Sequence, residues 1–190
     1  MIVEDLGRVF LINLDKRPDR LNLFAGEAKK IGFSYERISA VEGGASGATA
    51  SHLKVAAIAR DSKSSHYTVF EDDAQFADNT IELLKDVALP EVWDIIFLGG
   101  SYGFFTPYTK GLLRITDSLA LHGMMVSNRF YNKFIELLSN TSEPCDVILN
   151  RAYQQYRVFG FYPILCWQRE GMSDITGKFE NYDRTLRKTL

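Results

Sequence analysis

The stretch Thr68-Val69-Phe70-Glu71-Asp72-Asp73-Ala74 is a short apolar run that ends abruptly in three carboxylates. Read as a buried strand, it delivers acids to its own C-terminal end, which is how many α/β proteins hold a divalent cation against a phosphate. Three adjacent negative charges also repel one another, and either a cation or simple solvation must relieve that repulsion. The same acids can cap the following turn and face water, since short acidic runs are common. The residues alone leave both readings open.

Outward from this strand, apolar runs and helical patterns alternate. Upstream, Arg8–Leu14 (RVFLINL) reads as a buried strand. Pro18 stands where a helix can begin, Leu21, Phe24, Ala28 and Ile31 recur at helical spacing, and Gly32 ends the pattern. Tyr35–Val41 reads as a second strand, Glu42–Ala48 (EGGASGA) as a glycine-rich loop and Thr49–Arg60 as a helix. Downstream, a helix is expected at about 79–87, then a buried strand at Asp94–Leu98 closed by Gly99-Gly100. Ser101–Lys110 reads as an aromatic loop, Leu112–Thr116 and Leu119–Val126 as strands, and Asn128–Leu138 as a helix. A further helix runs from Pro144-Cys145-Asp146 to about Tyr156, and Val158–Leu165 is the last strand. The segment Cys166–Leu190 has weak periodicity and ends basic, with Arg184, Arg187 and Lys188. The β-α-β-α-β-α-β opening predicts an α/β fold of Rossmann type. Its mixed, mostly parallel sheet is flanked by helices, with antiparallel additions from the second half. One domain over residues 1–190 is expected, partly irregular in 166–190.

Composition narrows the function classes. A 46% hydrophobic and 13% aromatic content supports one sizeable core. Twenty-two basic and 24 acidic residues give a net charge of −2, which argues against a general polyanion or nucleic-acid binder but not against a local phosphate pocket. Cys145 and Cys166 make no disulfide framework, and no Cys/His spacing suggests structural zinc. The N-terminus places acids before a short apolar run, the wrong order for a secretory signal. No run approaches the ~20 apolar residues of a membrane span. The expectation is a soluble, cytoplasmic protein with reduced thiols. Its basic end could approach an anionic inner membrane face or could simply be solvated.

Several further segments carry candidate chemistry, each beside a plainer reading. At the exit of the first strand, Arg17 or Arg20 can pair with a phosphate through the guanidinium fork. The alternative is a helix start with Asp15 as cap and Pro18 in the first turn. The glycine-rich run leading to Ser51-His52 can meet an anion at a helix N-terminus, but it is neither a P-loop nor a dinucleotide fingerprint. Asp146 is either an N-cap or a carboxylate that takes a proton from an attacking hydroxyl. His122 lies in an apolar run and reads as a satisfied core residue, and Asp174 reads as a turn.

Taken together, these segments resemble glycosyltransferase family 25, the lipopolysaccharide (lipooligosaccharide) glycosyltransferases and procollagen galactosyltransferases. The resemblance rests on the order Asn13-Leu14-Asp15-Lys16-Arg17-Pro18-Asp19-Arg20, Ala40-Val41-Glu42-Gly43, Ser51-His52, Phe70-Glu71-Asp72-Asp73-Ala74 and Pro144-Cys145-Asp146. It extends to Asp94–Leu98, to His122 with Val126-Ser127, and to Gln168 with Ser173-Asp174-Ile175. It implies a GT-A fold, a UDP-hexose donor, a Mn²⁺ or Mg²⁺ cofactor, a saccharide or glycolipid acceptor, and inversion at the anomeric carbon. On that analogy Asn13, Leu14, Arg20, Ser51, His52 and Asp72 border the nucleotide-sugar. Gln168, Ser173 and Asp174 close over its diphosphate. The DXD-like acidic motif supplies metal ligands at Glu71 and Asp73, and Asp146 is the catalytic carboxylate. The chain departs from the family at Ala48-Thr49-Ala50 and at Gly123-Met124, and leaves the acidic motif intact.

Two rivals follow from the same residues. One is a non-catalytic nucleotide-sugar or glycan-binding module with a degenerate pocket. The other is a nucleotidyltransferase, which would want a glycine-rich basic loop after the first strand. Asp15–Arg20 contains no glycine.

Overall fold

The computed structural model describes residues 1–139, 141 and 143–181. The basic end at Arg184, Arg187 and Lys188 lies outside the described residues. After a 3-10 turn at Val3–Leu6, the order is β1 (Arg8–Asn13), α1 (Pro18–Ile31), β2 (Glu36–Ser39), α2 (Gly44–Asp61), β3 (His66–Glu71), β4 (Ala74–Phe76) and α3 (Thr80–Lys85). The long β5 (Ile95–Thr109) and β6 (Leu112–Ser127) follow, then α4 (Tyr131–Leu138), α5 (Cys145–Ala152) and a 3-10 turn at Tyr153–Gln155. The chain continues through β7 (Val158–Phe161), β8 (Cys166–Gln168), β9 (Gly171–Met172) and β10 (Phe179–Glu180).

The main sheet has the order β2-β1-β3-β6-β5-β7. β1 pairs in parallel with β2 and β3, and β5 with β7. β6 pairs antiparallel with β3 and β5, so it alone runs against the other strands. The fold is thus the expected α/β architecture, a mostly parallel sheet flanked by helices.

Strand alternation divides the apolar side chains between two covered faces, which is why the strands read as continuous apolar runs. Phe10, Ile12, Tyr67 and Val69 join Val55, Phe134 and Leu149 under α2, α4 and α5. Val9, Leu11 and Phe70 join Phe24, Ala28 and Leu84 under α1 and α3. Phe70 sits among Phe24, Phe33 and Phe76, with ring centroids 5.1–5.6 Å apart. α1 begins with proline and stops at Gly32, whose φ of 92° is the left-handed cap a glycine adopts without strain.

Several boundaries differ from the sequence expectations. Ser101–Lys110 is not a loop. It is the outer half of β5, paired with a β6 that runs unbroken through both expected strands. Its alternating aromatic and threonine residues favour an extended chain, and Gly111 at φ 79° makes the turn. α2 begins at Gly44 instead of Thr49, so most of the expected glycine loop is helix. The reason is close packing: a Cβ on Gly47 would overlap the backbone of Val41 and Glu42. Asp15 does not cap α1; it accepts from Arg37 and from Ser39 Oγ (2.8 Å). β7 ends at Phe161, short of the expected Leu165. The pairing of β4 with β8 was not legible beforehand.

Candidate functional site

A cleft opens at the C-terminal ends of β1 and β3, the rim where open α/β sheets hold ligands. It encloses about 850 Å³ including the open solvent at its mouth. Leu14, Arg20, Ser51, His52, Glu71, Asp72, Asp73, Gln168, Ser173 and Asp174 all line it. Of the candidate residues named from sequence, Asn13, Arg17, His122 and Asp146 do not.

The three acids are drawn apart by strand geometry. Glu71 shares the parity of Tyr67 and Val69, so it faces α2, where His52 Nε2 meets its Oε1 at 3.2 Å. Burial opposes the charged form of Glu71. The His52 hydrogen bond, together with the nearby His52, His122 and Arg20 charges, outweighs this and holds the carboxyl below its usual value. Asp72 turns to the α1 side, accepting from Asn13 Nδ2 (2.7 Å) and Arg20 Nη1 (3.1 Å). Burial raises its carboxyl, and Asn13 and Arg20 partly counter the rise. Among the described residues, the Asp73 carboxylate has only a long contact to Arg20 (3.5 Å) at Oδ2 and a hydrogen bond from Gln168. Its Oδ1 is buried without a partner among the described residues. Burial, with the neighbouring charges of Glu71 and Asp72, pushes Asp73 up to about 8.

Asn13 acts from behind the wall. Its Nδ2 also donates to Arg17 O (3.0 Å), and its Oδ1 accepts from Arg37 Nε (2.9 Å). Fully buried, it ties β1, β2 and the acidic turn together. The C-terminal segment is pinned to the same strand exit. Arg20 Nη2 donates to Met172 O (2.8 Å), Arg17 pairs with Asp174, and Lys16 lies 3.9 Å from Asp174. Of these, Lys16 was not singled out from the sequence; its place between Asp15 and Arg17 gave no separate signal.

On the opposite wall, Ser51 Oγ accepts from Val41 N and donates to Gly47 O, both at 2.8 Å, locking the start of α2 against the exit of β2. Gln168 arrives on β8, which lies close over the main sheet because Gly99 and Gly123 face it. A Cβ on Gly99 would overlap Cys166 O, and one on Gly123 would stand 2.6 Å from Cys166 Sγ. His122 Nε2 donates to the same Cys166 carbonyl (3.2 Å), and burial holds this imidazole below the usual histidine value. Read from sequence, Gly99 only closed a strand; its service as a floor for β8 required the fold.

Asp146 begins α5 outside the cleft. Its Oδ1 accepts from Val147 N (2.8 Å) and its Oδ2 from Ala120 N (3.3 Å), at a point where Ala120 adopts φ 64°. Cys145 beside it is buried, and its thiol, pushed up to about 12 by burial, also feels the charges of Glu71 and Asp146. The start of α5 therefore stands next to the acidic end of the cleft.

Among the described residues, no group of three or more His, Cys, Asp or Glu side chains is arranged to hold a metal ion. The fit of Mg²⁺ or Mn²⁺ therefore depends on Asp73, whose buried, unpartnered oxygen is a hard ligand of the required kind. Mg²⁺ commonly takes only one or two carboxylates and fills its shell with water and substrate phosphates. The residues present fit that mode and do not form an all-protein cage. Both cysteines are free and buried, and among the described residues no helix is long and apolar enough to cross a membrane.

No protein-family model matches the chain, and no curated protein matches it. Distant likenesses exist among solved structures. A mannose-1-phosphate geranyltransferase from Thermus thermophilus aligns at 13% identity over 80% of this chain and 58% of that one, less than two thirds of its length, with a TM-score of 0.44. A protein described as a glucose-1-phosphate thymidylyltransferase from Bacillus anthracis aligns at 11% identity over 95% and 73%, with a TM-score of 0.47. A nucleoside-diphosphate-sugar pyrophosphorylase from Vibrio cholerae aligns at 14% identity over 80% and 71%, with a TM-score of 0.43.

Proposed function

We propose that this protein is an inverting, divalent-metal-dependent glycosyltransferase of the family 25 type. It would move a hexose from a UDP-sugar to a saccharide hydroxyl. The observation that carries the reading is Asp73, a buried carboxylate with an unpartnered oxygen in the cleft where the residues of the family resemblance gather. Charge supports it too. Two cations, Lys16 and Arg20, and five carboxylates, Glu42, Glu71, Asp72, Asp73 and Asp174, line the cleft. A diphosphate entering alone would meet an excess of negative charge.

Asp73 would hold the Mn²⁺ or Mg²⁺ ion. When bound, that ion supplies positive charge to the departing diphosphate. Asp72, fixed by Asn13 and Arg20, orients the Arg20 guanidinium toward the same space. Gln168 donates to Asp73 and borders the diphosphate, while Ser173 and Asp174 close the open side. Ser51 holds the α2 wall in register with Val41. Asp146 would accept the proton of the acceptor hydroxyl from the start of α5.

One observation favours the non-catalytic alternative: the Asp146 carboxylate is bonded to two backbone amides and does not line the cleft. UDP release from UDP-hexoses with Mn²⁺, over a panel of saccharide acceptors, decides between the two. The catalytic reading expects turnover that falls steeply in both Asp73→Ala and Asp146→Ala. UDP-dependent thermal stabilisation without turnover on any acceptor supports the binding module. Full activity of Asp73→Ala ends the metal role, and full activity of Asp146→Ala ends the base role.

A further inference from the structure

We propose that Phe104, Asp117 and Asn150 form a platform beside the cleft that receives the acceptor, a neutral saccharide whose ring stacks on Phe104 and whose hydroxyl bonds to Asp117. This deepens the glycosyltransferase reading above and rests on it.

Hydrogen bonds and strand register place the platform. Phe70, just before the acidic turn, is paired with Gly123 of β6. From there β6 runs on past the turn and reaches Ala120 within three residues, roughly 10 Å. The start of α5 is tied to the cleft wall directly. Thr49 Oγ1, next to the cleft-lining Ala48, donates to Glu143 O (3.3 Å). α5 then grips β6 by its backbone. Asp146 accepts from Ala120 N, and one turn on, Asn150 Oδ1 accepts from Ser118 N (2.8 Å). Asn150 Nδ2 donates to Asp117 Oδ1 (2.6 Å). Between these grips β6 bulges: Gly123–Leu119 spans only Gly99–Ser101 of β5, and Ala120 takes a left-handed φ of 64°. Bulged strands and left-handed alanines are conformations that collect at functional sites.

The exposed side of this bulge has unused bonding capacity. Gly103 is an extra residue in β5, so that Gly103 and Phe104 together oppose Asp117. Asp117 Oδ2 lies where a Cβ on Gly103 would stand, 1.8 Å from it, so the missing side chain makes room for that oxygen. The bond from Asn150 takes Oδ1 and leaves Oδ2 for a ligand. Phe104 is 73% exposed, and Leu119, on the Asp117 face of β6, is 44% exposed. Nearby, the buried Tyr153 hydroxyl feels the charges of Asp117 and Asp146 and has no partner among the described residues.

Chemistry then selects the ligand. An open aromatic ring beside a carboxylate oxygen offers an apolar face and a charged hydrogen-bond acceptor at once, which matches the C–H face and hydroxyls of a pyranose. Charge selects within that class. Among the described residues, Asp117 and Asp146 are bonded by amides and not by basic side chains. An acidic sugar would meet two uncompensated carboxylates, and a neutral one would not.

The test is NMR titration, with UDP and Mn²⁺ present, of the methyl β-glycosides of glucose and galactose and of the two matching uronic acids. The proteins are the wild type, Phe104→Ala, Asp117→Asn, Gly103→Ala and Phe179→Ala. The wild type is expected to bind at least one neutral glycoside, and its uronide at least tenfold more weakly. Phe104→Ala should weaken the neutral sugar about tenfold. Asp117→Asn and Gly103→Ala should weaken it about fivefold, the latter because its methyl displaces Oδ2. Phe179→Ala removes an aromatic of similar exposure outside the platform and should bind as wild type. Near-identical circular dichroism reports correct folding of these surface variants. No neutral sugar bound, uronides bound equally well, or unchanged affinity in Phe104→Ala and Asp117→Asn would each overturn the proposal. So would an equal loss in Phe179→Ala. A wild type that binds neither UDP nor UDP-hexose would sink the nucleotide-sugar reading instead, whereas failure of the platform alone leaves UDP binding intact.

Discussion

On the α1 side of the cleft, polar groups are satisfied by their own chain, whereas among the described residues Asp73 and His52, which line the cleft, each keep a buried atom without a partner, as do His122 and the core hydroxyls of Tyr67, Tyr131 and Tyr153 away from it. Asn13 bonds to Asp72, Arg17 and Arg37, and Arg20 reaches Asp72 and Met172. Buried polar groups in native proteins are rarely left unpaired, so the two that belong to the cleft lining need an explanation. A fully connected network rigidifies, and an unfinished one awaits a ligand. The first region is therefore scaffold, and on the reading proposed above the second is where a bound molecule would complete the bonding.

Breaking the unfinished side has the largest expected effect on activity. Asp73→Ala should lower kcat for UDP-hexose turnover by on the order of a hundredfold or more, because the cation loses its one well-placed protein ligand. Stopped assays of UDP release across a Mn²⁺ titration check this. A variant restored to wild-type rate by excess Mn²⁺ would show that other groups hold the ion.

Breaking the finished side should instead cost stability. Asn13→Ala removes a buried side chain that donates to Asp72 and Arg17 and accepts from Arg37. The loss is about 2–3 kcal/mol, since a charged partner is left underbonded. For a chain of this size that lowers Tm by roughly 4–12 °C. Urea unfolding followed by circular dichroism reads the change. A variant as stable as wild type would mean the network is replaceable by water and is no scaffold.

The same contrast explains what was legible in the sequence. Apolar runs and helical spacing lead directly to β1, β3, α1 and the parallel core, because each strand is buried on both faces and shows it. The acidic turn also announces itself. The division of labour inside it does not, since it depends on which face each carboxylate takes and on what waits there. His52 and Glu71 are 19 residues apart in sequence. The floor for β8 depends on Gly99 lying opposite Gly123, a pairing set by the β5–β6 register. The outer arm of β5 reads as a loop in the sequence because its largely exposed residues show no apolar run.

The protonation of Asp73 sharpens the comparison at intermediate size. Its folded value, about 8, lies above the ordinary 3.8, so the folded protein holds this proton more tightly than the unfolded chain. Its contribution to stability is complete below about pH 4 and is lost as pH rises toward 8. Asn has no proton to lose. In chelator, Asp73→Asn should therefore gain stability over wild type steadily between pH 5 and 8 and level off above. Paired urea titrations across that range measure the difference. A gain independent of pH would show that Asp73 is ionised throughout and already satisfied.

The smallest effect concerns the contact that links the finished side to the cleft. Asp174 pairs with Arg17 and approaches Lys16, so a carboxylate of the chain itself sits against two cations at the strand exit, of which Lys16 lines the cleft. Asp174→Asn should change stability by less than about 1 kcal/mol, because these pairs are partly exposed and screened. It should also free the two cations to meet an incoming phosphate. UDP binding without metal is then expected to tighten by about threefold, as an anionic competitor of surface strength is removed. Calorimetry at two salt concentrations separates the outcomes: a gain that fades with salt fits competition for Lys16 and Arg17. A weakened affinity would instead make Asp174 a direct contact to the nucleotide-sugar, extending the unfinished side of the cleft across to the C-terminal segment.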